Sequence, residues 1–135
     1  MSLVLDHINL RTHDLGRIVK WYGRVLGLTP QARPAFAFDG AWLGDGVGAP
    51  AVHVVAVDDP PVAYAADQQL EHYAFAAAGL TDFLAHLRAQ KVAYYCRVLP
   101  TTETRQINFH DCDGNHLHVD FPASETADLT TYDGT

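Results

Sequence analysis

The sequence predicts an α+β fold assembled from two βαβββ modules with curved mixed sheets. Three observations carry that prediction. Strand-like and helix-like periodicities follow one another in the same order twice, and a proline-containing stretch that fits neither period separates the two runs. Sliding one half by 65 residues also lays Asp6 on Glu71, His7 on His72, Leu10 on Phe75, Leu15 on Leu80, Ile18 on Phe83 and His53 on His118.

In the first module, residues 3–57, the opening segment alternates. Leu5, His7, Asn9 and Arg11 fall on one face and Val4, Asp6, Ile8 and Leu10 on the other, which predicts a strand over residues 3–11. Asp14 then caps a helix whose apolar stripe is Leu15, Ile18, Val19, Tyr22, Val25 and Leu26, and Gly27 stops it. Short strands are expected at 36–39 and 41–43, on either side of Gly40. Gly44, Gly46 and Gly48 mark a loop, and the β-branched run 51–57 (AVHVVAV) suits a buried strand.

Residues 58–69, opening DDPP, read as a connector. The second module, residues 70–122, begins with a strand at 70–77. Thr81 is expected to cap a helix carrying Leu80, Phe83, Leu84 and Leu87 on one face and running towards Lys91. Strands follow at 92–98, 104–110 and 116–121, the last two joined by the turn-forming run Asp111-Cys112-Asp113-Gly114-Asn115. Residues 1–122 thus form one expected domain, and the polar tail 123–135 is expected to fray.

A chain of 135 residues can bury a core without cross-links. The net charge of -7, from 9 basic and 16 acidic residues, argues against nucleic acid or an anionic membrane as partner and leaves a small molecule. Cys96 and Cys112 have neither the spacing of a zinc knuckle nor the density of a disulfide scaffold. The N-terminal MSLVLDHINLRTHD lacks the pattern of a signal peptide, and no apolar run has membrane-spanning length, so the expected location is the cytoplasm.

Eight histidines are present, and the same separation, 46 residues, divides His7 from His53 and His72 from His118. Each half would place one imidazole on its first strand and one on its last, where neighbouring strands turn both onto one concave face. An unpaired ring in an apolar strand is costly. His7, His53, His72 and His118 are therefore the candidate ligands of a divalent metal, with the curved sheets around the metal site. His53, inside the most apolar run, has a rival reading as a hydrogen-bonded core histidine. His116, His110 and Asp120 are candidates for a supporting position behind the ligands. Tyr73, Tyr94 and Tyr95 are further helpers of unassigned place. No catalytic residue is assigned, and His13 and His86 read as surface residues.

Four separated pieces, LDHINL, WYGRVLGL, EHYAF and FHDCDGNHLHVDF, resemble in order and spacing the paired modules of the vicinal-oxygen-chelate superfamily of glyoxalases, bleomycin-resistance proteins and extradiol dioxygenases. The resemblance spans residues 3–122. The middle segment RPAFAFDGAWL is similar to a bacterial subgroup labelled glyoxalase-like. The family's usual turn reads Asp-Pro-Asp-Gly-Asn, and Cys112 stands in place of its proline.

The resemblance implies metal ligands on the first and last strand of each module, which are His7, His53, His72 and His118 here. His118 departs from the family, because most metal-binding relatives carry glutamate there. A histidine replaces a metal ligand more readily than it replaces a carboxylate base, which tilts the expected chemistry from glyoxalase-type lyase or isomerase activity towards extradiol-type oxygen chemistry. Four neutral ligands leave the double charge of the cation uncompensated and favour an anionic substrate with vicinal oxygens. Fe2+ or Zn2+ is favoured, and Ni2+ or Mn2+ also suits the ligands. A homodimer is expected by analogy with small relatives, and ligand sequestration without turnover is the alternative function.

Overall fold

The structure is a computed structural model that describes residues 1–62 and 67–135. Residues 63–66, within the expected connector, lie outside the described residues. The chain divides into two compact units, Met1–Ala63 and Tyr64–Thr135, each an open four-stranded mixed sheet with one helix.

The first unit comprises β1 (Ile8–Thr12), α1 (Leu15–Leu26), β2 (Thr29–Pro30), β3 (Gly40–Gly44) and β4 (Val52–Ala56), ordered β1-β4-β3-β2 across the sheet. The β1–β4 pair is parallel and the other pairs are antiparallel. Helix α1 begins and ends where its sequence requires. Asp14 Oδ1 accepts the Arg17 backbone N–H at 3.1 Å, and Gly27, at φ 67°, makes the left-handed C-terminal turn open to glycine. Ile18, Trp21, Tyr22 and Val25 are buried on its inner face, as are Ala41, Leu43, Val52 and Val54 on the sheet. The register pairs Ala41 with Val54 and Leu43 with Val52, so the opposite face carries the next set, Trp42, His53 and Asn9.

The second unit repeats the plan with β5 (Tyr73–Ala76), α2 (Leu80–Ala89), β6 (Tyr95–Val98), β7 (Arg105–His110) and β8 (His116–Phe121), ordered β5-β8-β7-β6. Phe75, Ile107 and Val119 line up on one face, and Phe83 of α2 packs there against Phe109 and Phe121 at ring distances of 6.1 and 5.4 Å. Ala74, Asn108 and His118 line up on the other. The turn before β8 is tied by Asp111, whose Oδ1 accepts the backbone N–H groups of Asp113 and Asn115 at 2.9 and 3.0 Å.

Several boundaries differ from the sequence expectation for identifiable reasons. Residues 36–39 form no strand. The Phe36 N–H turns back onto Pro34 O and Arg33 Nη2 donates to Phe38 O, so the segment closes on itself and the sheet takes Thr29–Pro30 as its edge. The opening strands begin at Ile8 and Tyr73, later than their apolar patterns suggest; β1 starts opposite Val52, where its partner β4 itself begins, whereas β8 begins at His116, one residue before the partner of Tyr73. Thr81 lies inside α2, and Gly79, at φ 93°, is its N-cap without a side-chain hydrogen bond of its own.

The missing cap comes from the tail. The Glu125 carboxylate accepts the N–H groups of Gly79 and Leu80 at 2.9 and 2.8 Å, placing a negative charge at the positive end of the helix. Tyr94 and Tyr132 form a backbone bridge further along. The segment expected to fray is thus held at two points. Replacing Glu125 with alanine should cost about 1 kcal/mol, as for the loss of a helix cap. Urea unfolding checks this, and an unchanged midpoint would show that the contact contributes nothing.

Candidate metal centre

In both units the first-strand histidine stands two residues ahead of the residue that pairs with the last-strand histidine. Asn9 pairs with His53 and Ala74 with His118, so strand alternation returns His7 to the face of His53 and His72 to the face of His118. The equal spacing in the sequence is therefore an equal register in space. His7 and His72 lie just before their strands, with side chains 40% and 37% exposed, whereas His53 and His118 are buried.

Within the first unit, the rings of Trp42, His53 and His7 form a continuous stack. Trp42 and His53 are 4.0 Å apart at 9°, and His53 and His7 are 3.8 Å apart at 12°. An imidazole lone pair lies in the ring plane, and two parallel planes share no point at which one cation could meet both lone pairs. For joint coordination the more exposed His7 must turn out of the stack. In the second unit His72 and His118 lie 4.5 Å apart with planes inclined at 45°, so the two planes intersect.

Each of the four rings has one nitrogen held by an acceptor. His7 Nδ1 donates to Asp6 at 2.6 Å, His72 Nδ1 to Glu71 at 2.5 Å and His118 Nδ1 to Asp120 at 2.6 Å, while His53 Nε2 donates to the Pro50 carbonyl at 3.1 Å. A carboxylate or carbonyl can only accept, so the N–H is fixed on the held nitrogen and the lone pair on the other. The donor set is thus chemically suited to a divalent cation. Burial, then the nearby His7, lowers the His53 pKa and keeps this ring in the neutral form that a metal needs.

His116 differs. Its Nδ1 faces Glu71 at 3.1 Å and its Nε2 faces Asn108 Oδ1 at 2.9 Å, so both nitrogens are engaged. Glu71 thereby bridges His72 and His116, and these three residues are a group whose ligand atoms lie within 4.8 Å of one another. Hydrogen bonding, first from His72, holds the Glu71 carboxyl below its ordinary pKa. His110 is 5.3 Å from His116 by ring centres, and desolvation followed by that neighbour lowers its pKa.

The expected helpers separate. Asp120 holds His118. Tyr95 shares the histidine face through its pairing with Asn108, at the sheet edge. Tyr73 lies on the opposite face, packed edge-on to Phe75. Tyr94 is buried, its hydroxyl bound by Arg88 at 2.7 Å.

Sequence reasoning missed Glu71 and Asp6 as orienting groups, although the repeated acidic-His pair at the 65-residue offset was a usable signal. It also missed a cavity of about 430 Å3 in the first unit, whose lining includes Arg33, Phe36, Phe38, Trp42, His7 and His53. No element periodicity announces it, because Arg33, Phe36 and Phe38 lie in a loop.

Lowered histidine pKa values have a definite consequence for stability. The unfolded His53 takes up a proton near pH 6.5, before the folded one does. Its contribution is therefore complete above that pH and is lost as pH falls through the lower folded value. His110 acts in the same direction. Thermal melts of metal-free protein should show Tm falling between pH 7 and 5, with a shallower fall for His53→Gln; identical slopes would remove His53 from the explanation.

A family model described as Glyoxalase/Bleomycin resistance protein/Dioxygenase superfamily matches residues 4–119. The chain is 26% identical over 122 residues to Glyoxylase I 4 of Arabidopsis thaliana, covering 85% of this chain and 68% of the plant protein. Among solved structures, a glyoxylase/bleomycin resistance protein/dioxygenase domain from Frankia sp. EAN1pec superposes with a TM-score of 0.71 at 20% identity, over 93% of this chain and 96% of that one. The trypanothione-dependent glyoxalase I of Leishmania major gives 0.63 at 19% identity, over 89% and 87%. At these identities the structural likenesses establish the fold.

Proposed function

Since the chain belongs to the Glyoxalase/Bleomycin resistance protein/Dioxygenase superfamily, we propose that it is a divalent-metal-dependent enzyme acting on a small anionic substrate with two neighbouring oxygens. His7, His53, His72 and His118 are the proposed ligands, and iron or zinc, then nickel or manganese, the proposed ion. One observation carries this reading: each of the four rings has one nitrogen committed to a fixed acceptor and the other left for a cation. On this reading residues 1–122 work as one glyoxalase-like domain, with modules at 3–57 and 70–122 and the polar tail 123–135 appended. The homodimer remains a proposal from family resemblance.

A bound divalent cation would supply Lewis-acid polarisation of the two substrate oxygens. The protein groups aim and hold. Asp120 fixes the tautomer of His118, and Glu71 fixes that of His72. With Nδ1 engaged by Asp120 and Nε2 given to a cation, His118 has no nitrogen left to accept a substrate proton. Glu71, with its lowered pKa, is a weak base at neutral pH. Both points favour extradiol-type oxygen chemistry over the proton transfer of a lyase or isomerase. The aromatic cavity of the first unit favours one second reading, a ligand-binding protein without turnover.

Dialysis against Fe2+, Zn2+, Ni2+ and Mn2+, followed by elemental analysis, should find a bound divalent ion that His72→Ala and His118→Ala abolish and His13→Ala leaves in place. Glu71→Gln should weaken binding by about 10–100-fold, the usual effect of disturbing a group that orients a ligand. Abolition by Glu71→Gln would instead make Glu71 a ligand, and a wild-type chain that takes up none of the four metals would overturn the reading. For the loaded protein, oxygen uptake with catechols is expected; turnover of 1,2-dicarbonyls without oxygen uptake would identify the lyase or isomerase branch.

A further inference from the structure

We propose that the first-unit cavity binds a planar aromatic carboxylate, with its ring against the aromatic wall and its carboxylate on Arg33. This deepens the proposed function by naming a substrate class and rests on the chain being a small-molecule-binding member of its family, but the contacts it uses need no metal. At about 430 Å3 the cavity falls within the range of small-molecule sites, about 300–1,000 Å3.

Flat faces dominate its lining. Trp42 lies parallel to His53, and Phe36 lies parallel to Phe38 at 4.8 Å and 16°. Phe36 and Phe38 are 43% and 49% exposed, a large apolar surface for one short loop to leave in contact with water. Arg33 ties that loop down through Phe38 O and places its guanidinium 5.0 and 5.2 Å from the two phenyl ring centres. A flat ring can stack on such walls, whereas a puckered ring of the same size meets them at fewer points.

Arg33 is the cationic side chain of the lining and offers a point of attachment for an anion. No carboxylate among the described residues forms an ion pair with Arg33, and its Nε is buried without a hydrogen-bond partner among them. Asp6 also lines the cavity, but its carboxylate is engaged by His7 Nδ1 at 2.6 Å. A ligand carboxylate would give the guanidinium a charged acceptor beside the neutral Phe38 carbonyl that it now holds. His7 and His53 line the same cavity, so a ring held there lies beside two of the proposed metal ligands.

Calorimetric titration of the metal-stripped full chain tests this with three probes: benzoate, cyclohexanecarboxylate with the same charge but no flat ring, and benzyl alcohol with the ring but no charge. Benzoate should bind at least about tenfold more tightly than either, a difference of about 1.4 kcal/mol. Arg33→Gln should remove that advantage while leaving benzyl alcohol unchanged, and Trp42→Leu should weaken both aromatic probes. Benzoate binding no tighter than cyclohexanecarboxylate, or unaltered by Arg33→Gln, would overturn the proposal. If Arg33→Gln fails to fold, the probe ranking on the wild type decides alone. Metal uptake measured after the same preparations are dialysed against the divalent ions separates the two readings: metal uptake without benzoate preference defeats this inference only, and benzoate preference without metal uptake defeats the metal site only.

Discussion

Parallel pairing of the first and last strands of each module is the constraint on which the rest of the structure depends. Parallel strands cannot be joined by a tight turn. The chain must leave the sheet after β1 or β5 and cross over before it returns, and here it does so through a helix and two further strands. That route is the βαβββ order. It also fixes which side chains share a face, because a one-residue slip would send His53 and His118 to the helix side and bring Val52, Val54, Leu117 and Val119 to the other. The apolar core and the histidine face are thus set by the same register.

The two modules use that register differently. In the first, His53 is sandwiched between Trp42 and His7 beside a cavity lined by the Arg33 guanidinium, an arrangement suited to stacking and to anion recognition. In the second, Glu71 bridges His72 and His116, Asn108 holds the far side of His116 and Asp120 holds His118, an arrangement suited to orienting rings around a cation. Repetition of one structural plan therefore does not imply two equal half-sites. Where the first module has Trp42 paired with His53, the second pairs Asn108 with His118. A stacking surface is replaced by a hydrogen-bonding one.

His118 gathers the functional question into one residue. Family resemblance leads one to expect a carboxylate there, and the structure supplies a carboxylate one step removed, in Asp120 behind the ring. The negative charge is kept near the site but is used to fix an imidazole. Such an arrangement suits a group that holds a cation better than one that shuttles a proton.

Much of this was legible in the sequence. Hydrophobic periodicity, the caps Asp14 and Gly27, and the 65-residue offset determined the module order and the family, because those signals are local or repeat at fixed intervals. The equal spacing of His7–His53 and His72–His118 foretold which rings would pair within each module. Tertiary structure alone decided the rest. Strand ends depend on where a partner stops, so β1 starts only at Ile8, opposite the first residue of β4. The cap of α2 comes from Glu125, 45 residues beyond Leu80. The roles of Glu71 and Asp120, the double engagement of His116 and the cavity around Arg33 arise from side chains brought together across strands and loops, and no periodicity in one dimension encodes contacts of that kind.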